Sequence, residues 1–491
     1  MTGKNSYRLP PLVHILCFLT AALVLAVCSE SSPLYPYNTW VDSNCFFTVG
    51  RGMLHGLVPY RDLIEQKGPL LYFLHMLAAI VSEKSFLGVY FLEVIAGYLF
   101  LLTCWKITQL YQNHWGFVIV PAMAFLLYTS AAMCLGDSAE EFCLPMLLWA
   151  VYVSLRAARE ERLFTGRECF FIGVTSGMVF WIKYSLVGMY LGWFFLPAAE
   201  MIWKRQWKAL LRTVGWIALG VAVSTLPWVL YFGYHHAVSD WLQIYIFDNF
   251  TYYPAYHSSG DDGAVLSTIK GAFGVPLAFY YQMSCAAIVG FAGLVLGLWR
   301  EKKRAYLRLL FMMAGMTLTT FPGGVWHAYA VLPLGMFALF GLIYAASLLP
   351  EPKIFVRRAA APLAVIAALI SSFYLTPNRT ARGEEREDLP QFRFAEIISA
   401  DEDATLLNYG FLDGGFYTAA GILPNCRMFC RLNIQTPGES QDDYVQQKLC
   451  RYIVTCTYGD ETSPEFDGYD IIAEASTPGS SNSYQLYRLT E

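Results

Sequence analysis

The stretch DSNCFFTVGRGMLHGLVPYRDLIEQKGPLLY, residues 42–72, gathers the side chains of this sequence best suited to chemistry. It opens on a single carboxylate, Asp42, holds the adjacent pair Arg61-Asp62, and ends on Lys67 before Gly68-Pro69. A lone carboxylate suits a general base that takes a hydroxyl proton, and cations suit an anionic leaving group. Trp40, Phe46, Phe47, Leu54, Leu57, Tyr60 and Leu63 interleave with these charges, enough apolar surface to lie in a membrane interface. Each charge also has a plainer reading. Asp42 can be a solvated acid or a helix N-cap, Lys67 can snorkel, and Arg61-Asp62 can be an ion pair that fixes the loop.

The elements that must position this stretch are membrane helices. Hydrophobic residues make up 56 % of the chain and charged ones 15 %, against roughly 25 % charged in an average soluble domain. Apolar spans are expected near 11–28, 85–105, 115–133, 142–155, 168–183, 185–203, 213–234, 273–298, 308–322, 328–349 and 359–375. That is about eleven crossings at ~20 residues each. Residues 69–82 are too short and read as a re-entrant or interfacial helix. The basic start and apolar run at the N-terminus raise a cleaved signal peptide, and LAVC ending at Cys28 half resembles a lipoprotein site. The valine before that cysteine favours a retained first span.

Lysine and arginine sort by side. With the N-terminus cytoplasmic, one set of connections carries Lys106, the Arg156–Arg167 and Lys204–Arg212 clusters, the run Arg300, Lys302, Lys303, Arg304 and Arg308, and then Lys353, Arg357 and Arg358. The opposite connections carry few, as the positive-inside rule requires of an outer face in a multi-pass plasma-membrane protein. That outer face collects the 29–84 loop, Asp137, Glu140 and Glu141 in 135–141, Lys183 between two spans, His327 and Tyr329 in 323–329, and the C-terminal tail. It also holds the aromatic 235–265 loop, either an interfacial belt or a mobile lid over a sugar or lipid. His235, His236 and His257 in that loop lack metal-ligand spacing.

Composition changes abruptly past residue 376. A charged linker over 377–392 leads to a helix near 394–398 and four short strands, giving an extracytoplasmic α/β domain over 393–491 beside a transmembrane unit over 1–376. The tail cysteines Cys426, Cys430, Cys450 and Cys456 allow three pairings, and the sequence does not choose among them. Their irregular spacing argues against zinc. No basic patch interleaves with aromatics, which excludes nucleic acid as a partner.

Activated groups outside a plasma membrane arrive on polyprenyl phosphates rather than nucleotides. Transfer from such a lipid needs one base and one or two cations for the departing phosphate. At this point GLVPYRDLIEQKGPLLYF, with the preceding Asp42, resembles the first outer loop of the GT-C glycosyltransferases, a superfamily of protein O-mannosyltransferases, lipid A aminoarabinose transferases and bacterial envelope sugar transferases. The resemblance implies a multi-span helical fold with interfacial helices in that loop, Asp42 as base and Lys67 on the lipid phosphate. LGDSAEEFCLP (135–145) and GGVWHAYAVLPL (323–334) resemble further family segments, which brings in Asp137, Glu140, Glu141, His327 and Tyr329 as acceptor-side or supporting groups. Arg61 or Lys183 would assist Lys67, with Asp62 supporting. Glu140 and Glu141 can equally be helix N-terminal acids, and His327 a buried structural histidine. Many members carry a carboxylate pair where this chain has Asp42-Ser43, so the transfer is expected to need neither metal nor other cofactor.

The expectation is an inverting glycosyltransferase that moves a monosaccharide from a polyprenyl-phosphate donor to an envelope polysaccharide, glycolipid or protein. The rivals are a transporter or flippase of a lipid-linked glycan and a non-catalytic assembly protein. Transport predicts ionisable groups at mid-membrane, and Glu93 is the main one inside the spans.

Overall fold

The computed structural model describes residues 9–257, 263–300, 303–434, 438–459, 461–477 and 481–490. Lys302, residues 258–262 of the aromatic loop and the side chains of Tyr256, His257 and Lys303 lie outside the described residues. Seven described helices are long and apolar enough to cross a membrane, or eight if one bent pair counts as a single span. The protein is a multi-pass helical bundle with a small sheet domain at its C-terminus.

Helix α1 (Pro11–Cys28) precedes a loop containing α2 (Val41–Leu54) and α3 (Pro69–Val81). The 13 residues of α3 reach about 20 Å at ~1.5 Å per residue, short of the ~30 Å hydrocarbon core. Its length matches the short helix expected over 69–82. The bundle continues through α4 (Leu87–Leu110), α5 (Gly116–Tyr128), α6 (Ala139–Arg159), α7 (Gly166–Phe180), α8 (Gly188–Trp203) and α9 (Trp207–Tyr234). Beyond them the 235–265 segment is largely helical, with α10 (Val238–Trp241), a π-helical turn over Leu242–Asp248 and α11 (Asn249–His257).

One expected span is broken. Residues 273–298 fall on two helices, α12 (Gly263–Gln282) and α13 (Ser284–Arg300), bent by 117° at Met283. Hydropathy does not register the break because both sides are apolar and Met283 is itself buried. A non-helical turn at membrane depth survives where protein covers it. Helices α14 (Lys303–Thr320), α15 (Ala338–Ser347, extending a 3-10 stretch from Ala328) and α16 (Ile354–Leu375) complete the bundle.

The 377–392 segment is anchored. It winds through three 3-10 turns, and the Asn378 amide donates to the carbonyls of Cys28 and Cys134, both at 2.7 Å. Helix α17 (Pro390–Ser399) and strands β1 (Leu406–Asn408), β2 (Tyr452–Tyr458), β3 (Tyr469–Ser476) and β4 (Asn482–Leu489) follow. The sheet order is β1-β2-β4-β3, with β1 parallel to β2 and the other pairs antiparallel. Period-2 alternation sends Ile453 and Tyr487 to one face and Val454 and Leu486 to the other, where the α17 side of the domain packs.

The tail docks on the 29–84 loop. Thr48 Oγ1 donates to Asp413 at 2.6 Å, and the Ile64 amide donates to the Arg427 carbonyl at 2.9 Å. The Arg427 guanidinium donates in turn to the carbonyls of Tyr60 and Arg61, each at 2.9 Å, and pairs with Asp240 at 3.2 Å. One tail arginine thus ties the loop to the segment after α9.

Candidate active site

The backbone at Lys67 is locked from three sides. Its N–H lies 2.8 Å from both the Glu65 carboxylate and the Tyr72 hydroxyl, and its carbonyl accepts from the Tyr60 hydroxyl at 2.6 Å. Tyr72 also bonds Glu65. Pro69 then starts α3 at a position that has no use for an N–H. Gly68 lies against the α7–α8 junction, where an added Cβ would stand 2.0 Å from the Trp181 carbonyl oxygen. That contact, with Leu70 N donating to Trp181 O at 3.0 Å, brings the Lys67 turn beside Lys183. Gly68→Ala must push the two segments apart. It is expected to lower stability by about 1–3 kcal/mol, the range for overpacking, and to cut activity with it, read as a fall in melting temperature of the detergent-solubilised protein.

Asp42 sits in the first turn of α2, whose N-cap is Trp40, so it does not cap the helix. It lines a cleft of about 570 Å³ together with Lys67, Lys183, His327 and Tyr329. Five of the residues singled out in the sequence therefore converge, from four separate segments of the chain. Tyr329 faces Asp42, takes the Lys183 ammonium over its ring at 5.2 Å, and stacks on His327 at 5.3 Å. Lys183 also pairs with Glu140 at 2.8 Å, which holds that buried carboxylate just behind the cleft wall. Lys67 is only 8 % exposed. Burial alone would pull its ammonium down, but Asp42, Glu65 and Glu140 outweigh it and hold the group charged above the usual lysine range.

Burial and the Lys183 ammonium push the His327 imidazole down to about 4. A free histidine titrates near 6.5, so the unfolded chain takes up a proton between about 6.5 and about 4 that the folded chain refuses. Stability therefore falls as pH drops through that window and is whole above it. His327→Asn removes this contribution. Melting temperatures measured from about pH 7 down to about pH 5 are expected to fall less in the variant than in wild type.

Other predicted residues lie elsewhere. Arg61 and Asp62 form a bidentate pair at 2.7 and 2.8 Å outside the cleft lining, and Arg61 donates to the His235 carbonyl at 2.8 Å. Asp137, at φ +63°, is wholly buried and bonds His75 Nε2 at 3.0 Å, while its N–H donates to Glu93 at 2.8 Å. Ser138 caps α6 by accepting from the Glu141 N–H at 3.1 Å, and Glu141 is buried beside Glu93. This cluster fixes the turn that presents Glu140. Among the described residues no three metal-ligating side chains converge.

Several further residues line the cleft, among them Tyr253 of the aromatic 235–265 loop read from the sequence as a belt or lid. Gln66, Asn249, Tyr253 and the tail's Asn433 all line it. Asn249 donates to the Gln66 carbonyl at 2.7 Å, and the Tyr253 hydroxyl meets His327 Nε2 at 3.2 Å. Adjacency to Lys67 is a signal for Gln66, whereas nothing in the local sequence of 431–434 points to Asn433. Beside the cleft an apolar groove of about 1020 Å³ runs between Phe180, Leu191, Phe250 and Ile269. The two share Tyr184, Ser185, Asn249 and Pro322.

No family model matches the sequence, and no curated protein matches it significantly. Solved structures do match. ArnT from Cupriavidus metallidurans bound to undecaprenyl phosphate superposes with a TM-score of 0.59 at 13 % identity, over 95 % of this chain and 97 % of that one. The same protein in the apo state gives a TM-score of 0.60 at 11 % identity over the same shares. The chain shares the fold of that protein. The matched length takes in the bundle and most of the tail, since the shares covered leave little of either chain outside.

Proposed function

We propose that this protein transfers a monosaccharide from a polyprenyl-phosphate donor to a hydroxyl of a cell-envelope acceptor on the outer face of the membrane, with inversion. The observation that carries the reading is the convergence of Asp42, Lys67 and Lys183 on one cleft that shares four lining residues with an adjacent apolar groove. The fold's likeness to a structure bound to undecaprenyl phosphate supports a lipid of that class.

Asp42 takes the acceptor hydroxyl's proton as its oxygen attacks the anomeric carbon. The bond from that carbon to the phosphate oxygen breaks, and the polyprenyl phosphate leaves with the electron pair. Lys67, with Lys183 behind it, neutralises the departing phosphate. Lipid chain enters along the groove between Leu191 and Ile269, and the acceptor arrives from the tail side past Asn433. Arg61 and Asp62 hold the loop. The Lys67 ammonium, with Lys183 paired to Glu140 behind it, supplies the charge that a divalent ion would otherwise bring, and the transfer is metal-independent. The N-terminus is cytoplasmic, which sets the basic helix ends at Arg156–Arg162, Lys204 and Arg357 inside.

The test incubates purified protein with membranes carrying radiolabelled polyprenyl-phosphate sugars, with and without EDTA. Label moving into polymer, lipid or protein, equally in both arms, is the expected result. Loss of transfer with EDTA would overturn metal independence. No transfer from any donor would overturn the enzyme reading in favour of transport or assembly.

A further inference from the structure

The four tail cysteines sort in a way that pairing within the tail cannot produce. Cys426 faces Cys450, Sγ to Sγ 3.5 Å. Cys430 instead lies 3.7 Å from the Sγ of Cys45 on α2, one helical turn from Asp42. Cys456 packs against Tyr458 and Tyr484.

Neither approach is a loose one. Around Cys45, Thr48 holds Asp413 at 2.6 Å, the Asp413 N–H donates to Cys45 Sγ at 3.4 Å, and the Tyr37 hydroxyl bridges Asn44 (2.7 Å) and the Gly415 carbonyl (3.0 Å). Around the other pair, the Asn425 amide donates to the Leu449 carbonyl at 3.0 Å and the Tyr469 hydroxyl to the Cys450 carbonyl at 2.7 Å. Hydrogen bonds on both sides of each pair aim the thiols at each other. A disulfide of ~2.05 Å lies within side-chain rotation of both.

We propose that the protein carries two disulfides, Cys426–Cys450 within the tail and Cys45–Cys430 joining the tail to the helix that bears Asp42. The inference rests on the outward placement of this face, because such compartments permit disulfides. In each bond two thiols lose two protons and two electrons to an oxidised protein disulfide of the compartment's thiol-oxidase class, which leaves as a dithiol. Cys45 and Cys430 are buried once the tail has docked, so their bond closes during docking and is then shielded from exchange until heat opens the fold. It fixes α2 against the tail segment that delivers Asn433 to the cleft.

The experiment alkylates the full chain from aerated bacterial cells with N-ethylmaleimide in denaturant without reductant, then maps peptides by mass spectrometry. Expected are Cys45–Cys430 and Cys426–Cys450 linked peptides, each two hydrogens lighter than the sum of its parts, with Cys456 alkylated. Other pairings overturn the assignment. Protease treatment of intact cells, scored on the tail, separates the two ways of failing. A tail cut from outside with all four cysteines alkylated sinks the disulfides and leaves the outward reading standing. A protected tail with free cysteines sinks the outward reading and the disulfides with it. Dithiothreitol is expected to lower the melting temperature of wild type, and that sensitivity to shrink in a Cys45→Ser, Cys430→Ser double variant.

Discussion

Replacing Asp42 with Asn lowers sugar transfer by at least ~100-fold, the low end for loss of a general base, while the melting temperature holds. Asn keeps the side chain's volume and removes its negative charge and its capacity to accept a proton, while Glu65 and Glu140 remain to hold Lys67 charged. Asp42 makes no cap for α2, so the helix loses no capping bond by the change, only a small charge–dipole attraction in its first turn. The drop is expected in kcat with KM nearly unchanged, because the base acts in the transition state and not on the bound ground state. Radiolabel transfer by purified wild type and variant measures both. Transfer that persists in Asp42→Asn would move the base to another carboxylate, and Glu140 is the next to test. That carboxylate is engaged by Lys183 at 2.8 Å, which gives it a role as anchor for the lysine.

Much of this architecture is legible in the amino-acid sequence. Long apolar runs and their basic connections report how a chain meets lipid, and that physics is local, so seven of the eleven expected spans coincide with described helices long and apolar enough to cross, and the four tail strands fall where β-branched content puts them. Asp42, Lys67 and Lys183 stand out as charges in the outer connections of an apolar chain, and the resemblance of 42–72 and 323–334 to family segments is what marks Asp42, Lys67, His327 and Tyr329 for chemistry. What the sequence hides is set by contacts between distant segments. The break at Met283 is invisible because protein, not water, covers it. Arg61-Asp62 reads as chemistry or as structure equally well until the His235 carbonyl is found against it. Asn433 reaches the cleft only because Arg427 and the Cys430 region clamp the tail to the first loop. The roles of Glu65 and Tyr72 also depend on a turn, since their shared bond to the Lys67 N–H exists only when that turn has closed.

Lys67→Met is expected to cost about 10²–10³ in kcat, the loss seen when one preorganised charge donor is removed from a developing anion. The geometry gives the reason. The ammonium is almost wholly buried and points over the Phe46 ring at 5.2 Å instead of onto a carboxylate, yet Asp42 and Glu65 keep it charged. A buried cation without a contact ion pair is expensive, and a phosphate in the cleft would supply the missing partner. Met matches the stem and deletes the charge, so affinity for polyprenyl phosphate should fall together with kcat. Lys67→Arg keeps the charge in a bulkier, planar head and should recover part of the loss. Lys183→Met is the discriminating comparison, because Lys183 already spends its charge on Glu140. It should cost less than Lys67→Met in the same transfer assay. The reverse order would mean that the phosphate leaves against Lys183, with Lys67 serving to position the first loop.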